Sequence, residues 1–247
     1  MRPVLARAEE IYPRLAAALA AAVARPSPST LREVAEEYRR LGIFDQAHQY
    51  LQRALRLDAH DGATYDAIAR LWRDGGLPAL ALGDAHRAVY YAPRSAVAHN
   101  TLGTVFQALG RRPEARREYE RALHLDPSAA YALNNLCYSW ILDRQPGRAV
   151  MACTAALKLA PQLAAARNNL GLAHAARGEL GAARGAFDDV GDRATALYNL
   201  GIVHMARREY TDAVSAFVAA QQARPSLRLA AVRAKQADSL TGAGGDE

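Results

Sequence analysis

Apolar and small residues along this chain follow a helical period over short stretches and a much longer period over the whole. Ala47, Ala81, Ala115, Ala149 and Ala183 stand 34 residues apart. Ala54, Ala88, Ala122 and Ala156 keep the same step, as do Leu102, Leu136 and Leu170. The chain breakers keep it too, with glycine at Gly42, Gly76, Gly110 and, two steps on, Gly178, and proline at Pro93, Pro127 and Pro161. A fixed period of this length predicts a stacked array of small units, each unable to bury its apolar face alone. Each unit reads as two antiparallel helices. Gly103, Ala115 and Ala122 are small enough for the point where the helices cross. Phe106 and Tyr119 are expected to fill the gaps between neighbouring units. The glycine ends the first helix in a left-handed conformation, and the proline opens the turn to the next unit, where no helical N–H is needed.

The spacing divides residues 28–227 into units at 28–61, 62–95, 96–129, 130–163, 164–193 and 194–227. The fifth is short. Leu170 to Leu200 is 30 residues, as is Ala183 to Ala213. Four missing residues amount to about one helical turn, or roughly 6 Å of rise. That predicts a shortened second helix, a tight turn at Gly191 and a local change of pitch. Residues 1–27 are expected to hold an N-terminal capping helix. Residues 228–240 read as a C-terminal capping helix, with Leu229, Val232, Ala237 and Leu240 at helical spacing toward the last unit. Residues 241–247 are expected to form a disordered tail.

These residues resemble the tetratricopeptide repeat. Leu102-Gly103 followed by Phe106, Gly110, Ala115, Tyr119, Ala122 and Pro127 matches that family's pattern in the third unit. Leu170-Gly171 with Gly178, Ala183 and Phe187, and Leu200-Gly201 with Ala213, Phe217, Ala220 and Pro225, match it in the fifth and sixth. The resemblance implies an all-α, right-handed superhelical solenoid of antiparallel helix pairs. Its concave groove would be lined by the second, fifth, sixth, ninth and twelfth positions of each repeat. It also implies a peptide- or protein-binding scaffold rather than an enzyme.

On the implied groove, Asn100, Asn134 and Asn168 hold one position in three successive repeats. Asn135, Asn169 and Asn199 hold the next position, also in three successive repeats. Asparagine is an indifferent helix former, so its repetition asks for a reason. Its carboxamide both donates and accepts. One reading is a row of amide groups that grips the backbone of an extended peptide. The other is that the asparagines bond neighbouring helices or water. Tyr131, Tyr138, Leu172 and Ile202 share the face, either as apolar groove walls or as packing. The first two repeats instead place Glu33, Glu36, Asp66, Arg70 and Arg73 there, which reads as a solvated mixed-charge face or an electrostatic subsite.

Composition narrows the remaining classes. The net charge is +6, and lysine occurs only at Lys158 and Lys235, so nearly all cations are arginine. The arginines are spread and interleaved with glutamate, which favours solvated helix faces over a nucleic-acid footprint. An RNA-binding solenoid is the weakest alternative. The run Arg111-Arg112-Pro113-Glu114-Ala115-Arg116-Arg117-Glu118 reads as a charged turn with local ion pairs. No apolar run is long enough to span a bilayer. No export signal is visible, which points to the cytoplasm by default and to the periplasm if the native start lies upstream. Cys137 and Cys153 are expected to be buried free thiols, or a disulfide in an oxidising compartment. His174 and His204 hold one position in successive repeats, too far apart to share a zinc, and are expected to be satisfied core histidines. No phosphate loop, dinucleotide, nucleophile-elbow or zinc-protease motif is present. The sequence thus implies no catalytic residue, no cofactor, no metal and no small-molecule substrate. An unidentified protein or peptide is the implied partner, or else the components of a bacterial envelope, pilus or secretion machine that the chain helps to assemble.

Overall fold

The computed structural model describes residues 12–189 and 192–241. The turn expected at Gly191, the start of the N-terminal cap and residues 242–247 of the tail lie outside them. All regular structure among the described residues is α-helical. The chain divides into two compact units between Pro127 and Ser128.

The first unit opens with α1 (Pro13–Ala24), then α2 (Pro28–Arg40) with α3 (Phe44–Leu57), α4 (Gly62–Asp74) with α5 (Pro78–Tyr91), and α6 (Ala96–Ala108) with α7 (Arg112–Leu125). The second holds α8 (Ala130–Leu142) with α9 (Pro146–Leu159), α10 (Ala164–Ala176) with α11 (Leu180–Asp188), α12 (Arg193–Ala206) with α13 (Tyr210–Ala223), and a closing α14 (Arg228–Thr241). Partners within a pair pack most extensively, and within each unit the first helix of a pair also touches the first helix of the next. Each unit therefore presents a face made from first helices alone.

Local chemistry sets the helix ends. The Ser27 side chain accepts from the Thr30 backbone N–H in a capping box, and Asp61, Ser95 and Asp192 cap α4, α6 and α12. Such caps satisfy N–H groups that a first turn leaves without partners. After the first helix of a pair the chain turns through a left-handed residue: Gly42, Gly76, Gly110 and Gly178. In the fourth and sixth pairs the same place is held by Arg144 and Arg208, both at positive φ. The helix α11 stops after nine residues, whereas α9 and α13 run to fourteen.

The crossing point within each pair decides the rest of the packing. A Cβ on Gly103 would stand 2.6 Å from the Tyr119 ring, and one on Gly201 would stand 2.6 Å from the Phe217 ring. Gly171 is crowded by Phe187 in the same way. Tyr119 thus fills the space over its own partner helix, not a gap between neighbouring pairs. In the fourth pair the two residues are Cys137 and Cys153. They are fully buried, their Cα atoms are 5.3 Å apart, and they form a disulfide. The expected free thiols are corrected here, because a crossing this close brings the two side chains within bonding reach.

The ends correct a second expectation. The helix α14 packs against Ala213 and Phe217 through Ala234 and Ala237. Leu229 and Val232 are 51% and 60% exposed. Close helix approach selects the small residues of an amphipathic helix, so the alanine stripe faces inward and the larger side chains do not. At the other end, Ala18 and Ala22 of α1 cover Leu31 and Val34 of α2.

Two outcomes are expected. Reducing the Cys137–Cys153 disulfide should lower stability by ~3 kcal/mol, the chain-entropy worth of a loop of this length, seen as a lower Tm with reductant than without. Tyr119 has no partner for its buried hydroxyl, while the equivalent rings are Phe187 and Phe217. Y119F should therefore raise stability by ~1 kcal/mol in urea melts, since an unpaired buried hydroxyl is a net cost.

Candidate interaction surfaces

A cavity of about 880 Å³ opens in the first unit beside α1, α2, α4 and the start of α6. Its floor is small and apolar, with Ala17, Ala18, Ala35, Ala67, Leu51 and Leu71. Glu33, Glu36, Asp66 and Arg70, expected on this face, do line it. Arg73 does not; it donates to Thr104 at 2.7 Å and to Asp74. The sequence reading missed the wall supplied by α1 through Arg14 and its alanines, because that helix lies outside the repeat period.

Charges at this cavity are tied into a network. Arg39 donates to Glu36 at 2.8 and 2.9 Å and pairs with Asp74, and Arg40 reaches Glu36 and Glu37. Arg70 donates to Asp66 at 2.9 Å. The Arg39 bond, with further help from Arg70 and Arg40, holds the Glu36 carboxyl below its usual range against a smaller burial effect. Asp66 is only 5% exposed, and burial pushes its carboxyl up even though Arg70 and the Thr101 hydroxyl oppose the shift. The mixed charge is thus mostly neutralised inside the unit, leaving a rim that offers both signs.

In the second unit the asparagines bond to each other. Asn169 Nδ2 donates to Asn134 Oδ1 at 2.9 Å, and Asn199 Nδ2 donates to Asn168 Oδ1 at 2.9 Å. Each bond runs from a first helix to the first helix of the preceding pair, α10 to α8 and α12 to α10. The carboxamides keep further hydrogen-bonding capacity, since each carries two N–H donors and a two-lone-pair oxygen. Asn100 and Asn135 are half-buried on their first helices. Tyr138 is 39% exposed and Tyr131 half-buried. Leu172 packs with Phe187 and Val203, and Ile202 with Phe217, so both are at least partly core residues. Asp192 caps the helix that carries Asn199, and its bonds from Thr195 and then Arg224 hold its carboxyl down at about 2.

His174 and His204 are each satisfied by a carboxylate across the turn that follows, Glu179 at 2.6 Å and Glu209 at 2.7 Å. The run at 111–118 contains the Arg111–Glu114 ion pair, as its interleaved charges suggest. No described helix is long and apolar enough to cross a membrane.

Family models described as tetratricopeptide repeat match residues 96–129, 143–191 and 188–227. No curated protein matches the sequence. Among solved structures, the chain is similar to one in the Cut9–Hcn1 hetero-tetramer of the APC/C, with a TM-score of 0.77 at 18% identity over 94% of this chain. It spans only 48% of that chain. Pseudomonas aeruginosa PilF gives a TM-score of 0.67 at 18% identity, over 86% of this chain and 96% of that one. PilW, a type IV pilus biogenesis factor, gives 0.69 at 22% identity, over 80% and 94%. Identities this low establish the shared fold.

The Asn169–Asn134 bond generates a prediction. N169A should cost ~1 kcal/mol in urea melts, the usual net worth of one hydrogen bond, and the double variant N134A/N169A should lose less than the sum of the two single losses.

Proposed function

The chain belongs to the tetratricopeptide-repeat family, and we propose that it is a non-catalytic scaffold holding a peptide or protein segment against the faces built from its first helices. The observation that carries this reading is the cavity of about 880 Å³ in the first unit. Its volume lies in the usual range of ligand pockets, with an apolar lining and a few fixed polar groups. Most rim charges, Arg32, Glu36, Arg39, Arg40 and Arg70 among them, are already paired within the protein, so a bound segment meets preorganised donors and acceptors and little side-chain ordering is left to do. On the second unit, Asn134, Asn135, Asn168, Asn169 and Asn199 with Tyr131 and Tyr138 are the proposed contact surface. Leu172 and Ile202 complete that set, and Asn100 is a separate proposed contact on the first unit. On the second unit the Asn–Asn bonds fix the carboxamides, and their remaining N–H and C=O capacity would face a partner's backbone.

A second reading, an assembly factor of a pilus or secretion machine, is supported by the match to PilF and PilW over nearly the whole length of those chains. The buried disulfide fits such a role outside a reducing compartment. Both readings make a protein segment the partner. The even spread of arginine among acidic residues speaks against RNA.

The test is selection of displayed peptides on the immobilised full chain. Ala63 is exposed and lines the first-unit cavity, so A63F should fill it without disturbing the core. Selected peptides should bind at least about tenfold more weakly to A63F or to Y138A, a loss of ~1.4 kcal/mol. N135A/N169A/N199A, checked for folding by its Tm, reports on the asparagine face. A library that yields no binders, or binders indifferent to all three variants, would overturn the scaffold reading.

A further inference from the structure

The turn between α12 and α13 gathers three metal-ligating side chains. His204 Nδ1 lies 2.7 Å from Glu209 Oε2. A carboxylate oxygen of Asp212 joins them, and the three ligand atoms all lie within 4.8 Å of one another. The preceding repeat supplies an internal comparison. There His174 meets Glu179 at 2.6 Å, and Arg177 holds the other oxygen of Glu179 at 2.9 Å. In the sixth repeat Arg207 holds Glu209 Oε1 at 2.7 Å in the same manner. The histidine, glutamate and arginine are therefore what closes such a turn. Asp212 is additional: Ala182 stands at its place in the fifth repeat, and no hydrogen bond or ion pair occupies its carboxylate among the described residues.

We propose that His204, Glu209 and Asp212 form a binding site for a divalent transition-metal ion, zinc(II) being the best fit. One imidazole nitrogen and two carboxylate oxygens are ligands that zinc accepts, at about 2.0–2.2 Å, with a fourth position left for water. Calcium and magnesium prefer all-oxygen shells of six or more ligands, which this turn does not offer. The imidazole proton that Nδ1 shares with Glu209 moves through solvent to Nε2, a side-chain rotation draws Nδ1 and Oε2 apart, and the ion takes the proton's place. Arg207 stays on Oε1, fixing the carboxylate plane and offsetting one of the two negative charges, the outer-sphere support that metal ligands commonly have. A bound ion would cross-link the end of α12 to the first turn of α13 through three side chains.

The experiment is isothermal titration of zinc sulfate into the full, tag-free chain. One saturable site is expected. D212N changes an exposed residue without a partner, so it should fold normally and bind zinc at least about tenfold more weakly, since an outer-sphere partner alone is worth that much. A182D, which adds the second carboxylate and so the third ligand to the fifth repeat, should gain a second site. Excess magnesium or calcium should not displace the zinc. The proposal is overturned if the wild-type chain takes up no zinc saturably, if D212N binds as tightly as wild type, if A182D stays at one site, or if calcium competes on equal terms. None of these readouts depends on peptide binding, so the scaffold reading stands or falls separately.

Discussion

Everything in this fold depends on how closely two helices of a pair can cross. The critical residues are sixteen apart, and the chain satisfies the contact in several ways. Gly103, Gly171 and Gly201 each accept an aromatic ring, from Tyr119, Phe187 and Phe217. Ala35 with Leu51 and Ala69 with Ala85 do it by sharing a smaller volume. Cys137 and Cys153 do it covalently. Interiors are packed to the density of organic crystals, so the two residues must trade volume: where one is glycine the other can be a ring. A methyl group added at Gly103 or Gly201 would collide with that ring. Two cysteines are small partners on both sides, and the bond between them supplies the closure that a ring supplies elsewhere.

The turn after the first helix is the second constraint, and it is less uniform. Glycine takes the left-handed position in four pairs, but Arg144 and Arg208 take it in the fourth and sixth. A side chain there costs ~1–2 kcal/mol relative to a right-handed conformation. Both exceptions lie in the second unit, and in the sixth pair the turn is braced by the His204–Glu209 bond and by Arg207 on the same carboxylate. The fifth pair has the same brace with a glycine, and there α11 is cut to nine residues. Backbone strain in the sixth turn is thus offset by side-chain bonds that join the helices on either side of it.

Much of this was legible because small and large residues repeat with the structure. The ladders of alanine, leucine and glycine mark helices, crossings and turns directly. Even the asparagine pairing leaves a trace: one set runs through the third to fifth repeats and the other through the fourth to sixth. An offset of one repeat is what bonds from each repeat back to its predecessor would leave. Three features could not be read this way. The wall that α1 adds to the first-unit cavity comes from a helix without the period. The inward face of α14 is set by Ala230, Ala234 and Ala237, whereas hydropathy alone points to Leu229 and Val232. The disulfide depends on a distance between helices, and cysteines sixteen apart do not reveal it until the crossing geometry is known.

The two proposed surfaces differ in how much of their polarity is already spent. A peptide unit held by one carboxamide needs a donor and an acceptor from the same side chain. Asn134 and Asn168 each give an oxygen lone pair to the next helix, and Asn169 and Asn199 each give an N–H. Every paired carboxamide still has one group of each kind left, but its orientation is dictated by the helix–helix bond. A partner backbone must match that orientation, because breaking an Asn–Asn bond to gain another hydrogen bond yields little net free energy. The cavity beside α1 carries no such directional demand on a backbone, since its floor is alanine and leucine, and Arg32, Arg39, Arg40 and Arg70 already have carboxylate partners. Shape and apolar burial therefore dominate there, whereas the asparagine face imposes a direction on any backbone that it holds.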